Sequence, residues 1–300
     1  MDTKWFRRFG EQLPAACRLI CFPHAGGSAT AYAPLSRKLS GTLDVLAVQY
    51  PARQDRLAEP PADGILGLAA RIAEELTPYT QQPYAFFGHS MGALVAYETA
   101  RILDDGSVPP PVRLFLSGRG APGPTPDPHD RLPDDAAILA AVRNLGGTDA
   151  SLLDDPDLLD IVLPALRADY GALASYRWQP GPALNTPVTV LVGDADPVVP
   201  VASVAGWAQQ TRQDDEVLVF AGGHFYLSER LDQVTAVLRS RLSPSAGGSS
   251  GIPGSGPVGG LGGGAQAGPR GTQAAGGAGA APAAGEPGGG DQRTAGGAVA

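Results

Sequence analysis

FFGHSMGALVAYETA, residues 86–100, sets a lone hydroxyl, Ser90, between two glycines where an apolar strand gives way to an apolar helix. Tyr84-Ala85-Phe86-Phe87 reads as a short buried strand. Ala93, Leu94, Ala96, Tyr97, Ala100 and Leu103 then follow helical spacing up to a stop at Asp105-Gly106. The pattern Gly88-His89-Ser90-Met91-Gly92 alone is weak, since Gly247-Gly248-Ser249-Ser250-Gly251 repeats its spacing in a tract with no such context. What gives Ser90 meaning is the order strand, tight turn, helix, which a nucleophile elbow requires. Glycines at 88 and 92 let backbone crowd the turn, so the hydroxyl projects from the carboxyl edge of a sheet. The helix N-terminus then aims free N–H groups at negative charge developing there. The competing interpretation is an ordinary turn with a capping serine.

A serine hydroxyl needs a base to take its proton, and the chain has four histidines. His89 is too close along the chain to turn back on its neighbour. His129 lies in a Pro/Asp-rich loop and is expected to be solvated, and His24 ends the first long strand. His224 follows the strand Glu216-Val217-Leu218-Val219-Phe220, in the loop Ala221-Gly222-Gly223-His224-Phe225. Loops at the carboxyl ends of strands are where such sheets present functional groups, so His224 is the expected base. The orienting acid should fall between Ser90 and His224 in the chain. Val188–Val192 is a buried strand followed by Gly193-Asp194-Ala195-Asp196-Pro197, and both aspartates are eligible. Asp196, farther out and fixed by Pro197, is the expected acid. Asp194 is expected to bond loop amides in an Asx-turn.

An oxyanion hole needs two backbone N–H donors near Ser90. Met91, the next residue, is expected to supply one. The loop Pro23-His24-Ala25-Gly26-Gly27-Ser28 after the strand Arg18–Phe22 is expected to supply the other, with Ala25 N–H the chosen donor. His24 is then a scaffold residue of that loop.

Seven segments extend the match beyond the elbow: CFPHAGGSAT (21–30), VQYPARQDRLAEP (48–60), FFGHSMGALVAYE (86–98), LPDDAAILAAVRNLGGT (132–148), LPALRADYGALASYRW (163–178), VLVGDADPVVP (190–200) and FAGGHFYL (220–227). Together they resemble the type II thioesterases, stand-alone editing hydrolases of modular polyketide and nonribosomal peptide synthases, over about residues 5–240. The resemblance implies an α/β-hydrolase fold, with a mostly parallel central sheet flanked by helices and a helical lid insertion. It also implies a Ser90–Asp196–His224 triad and release of unwanted acyl groups from the phosphopantetheine arm of carrier proteins, with no cofactor beyond that arm. One departure is Ala52, where the family usually has glycine; it calls for a backbone open to L-residues.

The expected organisation is one catalytic domain over residues 1–242 and a Gly/Ala/Pro-rich tail over 243–300, which holds 21 of the 41 glycines. The tail has no periodicity or apolar face and is expected to be disordered. From Pro122 to Pro182 the strand–helix alternation stops. Helical stretches at 136–142, 158–163 and 165–176 are expected there, the lid over the site.

No apolar run resembles a signal peptide or a membrane span, so a cytoplasmic location is expected. The formal charge of −8 disfavours nucleic acid as a partner. It also offers no overall attraction for an acidic carrier, so local positive charge at Lys4, Arg7, Arg8, Arg53 and Arg56 is the candidate docking feature. A monomer is expected. Cys17 and Cys21, four residues apart in one strand, are roughly 13 Å apart, too far for a disulfide. No His/Cys cluster has metal-ligand spacing. Two other functions remain as alternatives: a small-ester or lipid hydrolase on the same fold, and a non-catalytic hydrolase-like binding protein.

Overall fold

The short apolar runs of the sequence pair as a sheet whose two faces are both covered. The computed structural model describes residues 3–10, 17–147 and 154–242. Its strands are β1 (Phe6–Arg7), β2 (Arg18–Phe22), β3 (Asp44–Val48), β4 (Tyr84–His89), β5 (Leu114–Ser117), β6 (Val188–Gly193) and β7 (Asp215–Phe220). They lie in the order β1-β3-β2-β4-β5-β6-β7. β1 runs antiparallel to β3, and every other pairing is parallel. The helices are α1 (Ala33–Leu39), α2 (Gly64–Leu76), α3 (Met91–Leu103), α4 (Asp135–Leu145), α5 (Pro156–Ser175), α6 (Tyr226–Glu229) and α7 (Leu231–Leu242).

Side chains alternate across a strand, so β2 feeds two cores. Ile20 and Phe22 pack with Leu68 and Ile72 of α2 and Leu94 of α3. Leu19 and Cys21 pack with Leu35 and Leu39 of α1 and with Val234 and Leu238 of α7. Covering both faces explains why the inner strands read as unbroken apolar runs. The chain leaves β2 for β3 on one side and returns to β4 on the other. Loops after β2 and β4 therefore diverge over a crevice at the carboxyl edge, where sheets of this kind bind ligands.

Between β5 and β6 the alternation is replaced by α4 and α5, as the composition of 122–182 suggests. The two expected helices at 158–163 and 165–176 are one helix, with Pro164 inside α5. Pro164 is exposed, so the carbonyl whose hydrogen bond it forfeits can face water, and the helix continues. Residues 148–153 and the tail expectation for 243–300 lie outside the described residues. Both cysteines are free thiols, with Cys21 buried. Among the described residues no helix is long and apolar enough to cross a membrane.

Two expectations about the region after β3 are overturned. Arg53 and Arg56 are not surface charges but 6% and 4% exposed. Arg53 forms an ion pair with Asp169, while Arg56 lies 4.1 Å over the Trp5 ring and pairs with Glu59. A guanidinium, planar and weakly hydrated, suits such paired and stacked positions. Lys4, Arg7 and Arg8 also have acidic partners, in Glu59, Asp55 and Asp44. The composition of this segment concealed how far its positive charge is internally compensated.

The second concerns Ala52, whose φ is +66°, in the left-handed region. Its N–H is held at 3.1 Å by the Arg56 carbonyl, so the turn imposes the conformation. An L-residue there costs roughly 1 kcal/mol relative to glycine. Ala52→Gly is therefore expected to raise Tm by about 2–4 °C in a chain of this size. A thermal melt by circular dichroism checks this; an unchanged or lower Tm would show that the turn carries no such strain.

Candidate active site

Close backbone approach dictates the turn after β4. A Cβ on Gly88 would lie 2.2 Å from the Gly92 carbonyl oxygen, and one on Gly92 would lie 2.0 Å from that of Phe22. No larger side chain fits either position. Ser90 itself has φ 55° and ψ −120°, a sparsely populated conformation costing about 1–3 kcal/mol. Its N–H donates to the Ser117 carbonyl at 2.8 Å, which ties the turn to the end of β5.

At the ends of β6 and β7 the loops interlock. A Cβ on Gly193 would lie 2.4 Å from the carbonyl oxygens of both Gly222 and Gly223. His224, 2% exposed, places Nδ1 2.7 Å from Asp196 Oδ2. The other carboxylate oxygen of Asp196 accepts the N–H groups of Val198 and Val199, at 3.0 and 3.1 Å. The carboxylate is thus fixed on both sides. Asp194 has a different role from the Asx-turn expected of it. Its Oδ1 accepts the Gly222 N–H at 2.9 Å, linking the two loops. Parallel register sets Gly193 beside Phe220, which brings the Asp194 side chain alongside the next loop. The Asx-type turn belongs to Asp196.

Ser90, His224 and Ala25 line one cavity of about 170 Å³, with Leu145 of α4 and Tyr170 and Leu173 of α5 among its walls. The Nε2 of His224 is buried without a hydrogen-bond partner, so no Ser90–His224 hydrogen bond is formed. In unliganded sites such bonds are often long and tighten around substrate. The Ala25 N–H also donates to no described group, whereas the next two amides are engaged, Gly26 with Asp169 and Gly27 with the His24 carbonyl. Met91 begins α3, where an amide lacks an intrahelical partner. The five residues singled out in the sequence thus occur on four loops at one sheet edge, those after β2, β4, β6 and β7. A larger hollow of about 380 Å³ adjoins, built from the 119–130 loop, Tyr176, Arg177 and Trp178, and the two share Arg119, Asp127, His129, Asp130, Val198 and Val199.

Two further histidines surround His224. His89 is 1% exposed, with Nδ1 3.0 Å from Ser117 Oγ, which in turn lies 2.6 Å from the Tyr226 hydroxyl. Its ring turns away from Ser90's role and packs 4.9 Å from that of His224. Burial, then repulsion from His224 and His24, holds the His89 pKa well below the usual histidine range. Burial, followed by His224 and Arg53, lowers His24 to about 4. Both rings are neutral at neutral pH and add no charge beside the His224 imidazole. His129 is exposed, as its loop suggests, but that loop forms a wall of the cavity. Among the described residues no group of three or more His, Cys, Asp or Glu is arranged to hold a metal.

A thioesterase-domain family model matches residues 17–243. "Thioesterase PikA5" of Streptomyces venezuelae is 44% identical over 231 residues, covering 77% of this chain and 82% of that protein. "Gramicidin S biosynthesis protein GrsT" of Aneurinibacillus migulanus is 36% identical over 228 residues, 76% of this chain and 89% of that one. Among solved structures, the type II thioesterase BorB from the borrelidin biosynthetic cluster superposes with a TM-score of 0.73 at 41% identity. That alignment covers 79% of this chain and 97% of BorB.

Proposed function

This chain belongs to the thioesterase-domain family, and from that premise we propose that it hydrolyses acyl thioesters held on the phosphopantetheine arm of carrier proteins. The role is that of an editing enzyme clearing aberrant acyl groups from a polyketide or nonribosomal peptide assembly line. Relatives named for such pathways support the setting. The observation that carries the chemistry is the convergence of Ser90, on its strained turn, and the His224–Asp196 pair on one capped cavity.

His224 Nε2 takes the Ser90 proton as Oγ attacks the thioester carbonyl. The negative charge that develops on oxygen is received by the N–H groups of Ala25 and Met91. Asp196 holds the proton on Nδ1, so that Nε2 is free to accept, and it stabilises the imidazolium that forms. Collapse of the tetrahedral species expels the thiolate, which takes the proton from His224 and departs as the thiol, and leaves the acyl group on Ser90. Water then attacks with His224 again as base, and the carboxylic acid is released. A sulfur leaving group and an imidazole base suffice for both steps, so no metal or redox cofactor enters the scheme.

A carrier arm is long and narrow, and its binding energy lies remote from the reacting carbonyl, where it can orient the thioester. One acyl group should therefore be hydrolysed with a kcat/KM about 10–100-fold higher on a carrier than on coenzyme A or a truncated thiol, an energy of roughly 1.4–2.7 kcal/mol. The gain should recur across several short acyl groups, because editing has to accept many wrong chains. The matched series is measured by thiol release. Equal kcat/KM across it would show that arm and carrier contribute nothing, and a preference for oxoesters would reassign the chain to general ester hydrolysis.

A further inference from the structure

The loop that carries Ala25 is held by residues that the scheme above leaves without a role. Tyr32 and Tyr50 donate their hydroxyls to the carbonyls of Phe22 and Pro23, at 2.7 and 3.1 Å, where the loop begins. Gln49 Oε1 accepts the Ala29 N–H at 2.9 Å where it ends. Between these anchors the fastening comes from the cap. Asp169 of α5 accepts the Gly26 N–H on Oδ2 at 2.7 Å. Arg53 clasps the same carboxylate with both terminal nitrogens, at 2.8 Å each, and Nη1 also reaches the Gly27 carbonyl at 2.9 Å. Both side chains are 7% exposed.

Leu166, one turn before Asp169, packs so tightly on the loop that a Cβ at Gly26 would lie 2.4 Å from Leu166 Cδ2. Gly26 also has φ +74°, so only glycine suits both the turn and the contact. One face of α5 therefore grips Gly26 through Leu166 and Asp169. The same helix presents Tyr170 and Leu173 to the cavity.

Taking as given that Ala25 N–H receives the oxyanion, as in the function proposed above, we infer that Asp169 is a positioning residue for that donor, with Arg53 compensating its buried charge. The amides of Ala25 and Gly26 are adjacent, so fixing the second limits rotation of the first. A donor is effective only within about 2.7–3.1 Å of the developing charge, and a misplacement of about 1 Å can cost on the order of 100-fold in rate. The cap helix is thus part of the oxyanion machinery as well as a wall of the acyl cavity. Withdrawing α5 as a rigid lid would disassemble the donor loop.

The test separates the hydrogen bond to Gly26 from the charge pair. R53M/D169N removes both charges and keeps a side-chain carbonyl for the Gly26 N–H, while R53M/D169L removes both charges and the acceptor. The Asn form should keep kcat within about 5-fold of the parent; the Leu form should lose about 30–100-fold in kcat with KM changed less than about 3-fold. An alkylboronic acid, which forms a tetrahedral adduct with the serine, should lose affinity for the Leu form by the same factor. Equal kcat and equal boronate affinity in the two forms overturn the inference. Failure of the Ser90 assignment is recognised separately, as boronate binding that persists in S90A.

A further measurement needs no variant. In the full-length protein the Gly26 amide should exchange with solvent at least about 100-fold more slowly than an open loop amide, together with the amides of α5. Exchange at the open rate, with α5 protected, overturns the inference even if neither double variant folds.

Discussion

Ser90→Ala is expected to lower turnover of an acyl-carrier thioester by about 10⁴–10⁶-fold, the range for loss of a nucleophile that acts as a unit with its base. The same substitution should leave Tm within about 2 °C of the parent, because nothing that holds the fold depends on the hydroxyl. Among the described residues Ser90 Oγ has no hydrogen-bond partner, and the turn is fixed through the Ser90 N–H to Ser117 and the glycine contacts on either side. Alanine accepts φ 55° no worse than serine does. Thiol release and a thermal melt measured on one preparation check both halves. Turnover above about a tenth of the parent's would falsify Ser90 as the nucleophile, whatever the stability.

Asp196→Asn should lower kcat by about 10⁴-fold, the loss that follows when an imidazole is held in the wrong tautomer. Local geometry determines which way the new amide faces. Oδ1 of Asp196 accepts two backbone N–H groups, from Val198 and Val199. Asparagine can keep those bonds only through its carbonyl oxygen, which turns its NH₂ group toward His224 Nδ1. Nδ1 must then accept, the ring proton moves to Nε2, and Nε2 can no longer take the Ser90 proton. Asp194→Asn offers the matched control, since its carbonyl can still receive the Gly222 N–H. That variant should keep kcat within about 3-fold, at the cost of one exposed charge. If a folded Asp194→Asn proves the more damaging of the two, the orienting acid is misassigned.

Much of this site was legible because local relations encode it. Strand, turn and helix around Ser90 are consecutive, and the alternation of side chains and the helical spacing both act over a few residues. The parallel sheet and the presence of Ser90, His224, Asp196 and the Ala25 loop at its carboxyl edge follow from that alternation together with chain order. Of the two eligible aspartates, Asp196 is the one that meets His224 Nδ1, and the sequence argument for it was incomplete in its reason. Pro197 suggested a fixed backbone, whereas the carboxylate of Asp196 is itself the acceptor of the turn.

Other features depend on residues far apart in the chain, and only the packed structure decides them. The positive φ of Ala52 is imposed by a loop closing on Arg56, and helical periodicity does not reveal whether Pro164 ends α5 or merely faces water. Arg53 has the composition of a surface arginine until α5 is laid over it. The neutral state of His24 and His89 arises from burial beside His224, which no spacing in the sequence expresses. Sequence alone determined which residues are the candidates for the chemistry, because the turn and strand ends that present them are local. Tertiary structure decided what holds them in place, because Asp169 meets the Gly26 amide from 143 residues away and only where the cap rests on the sheet.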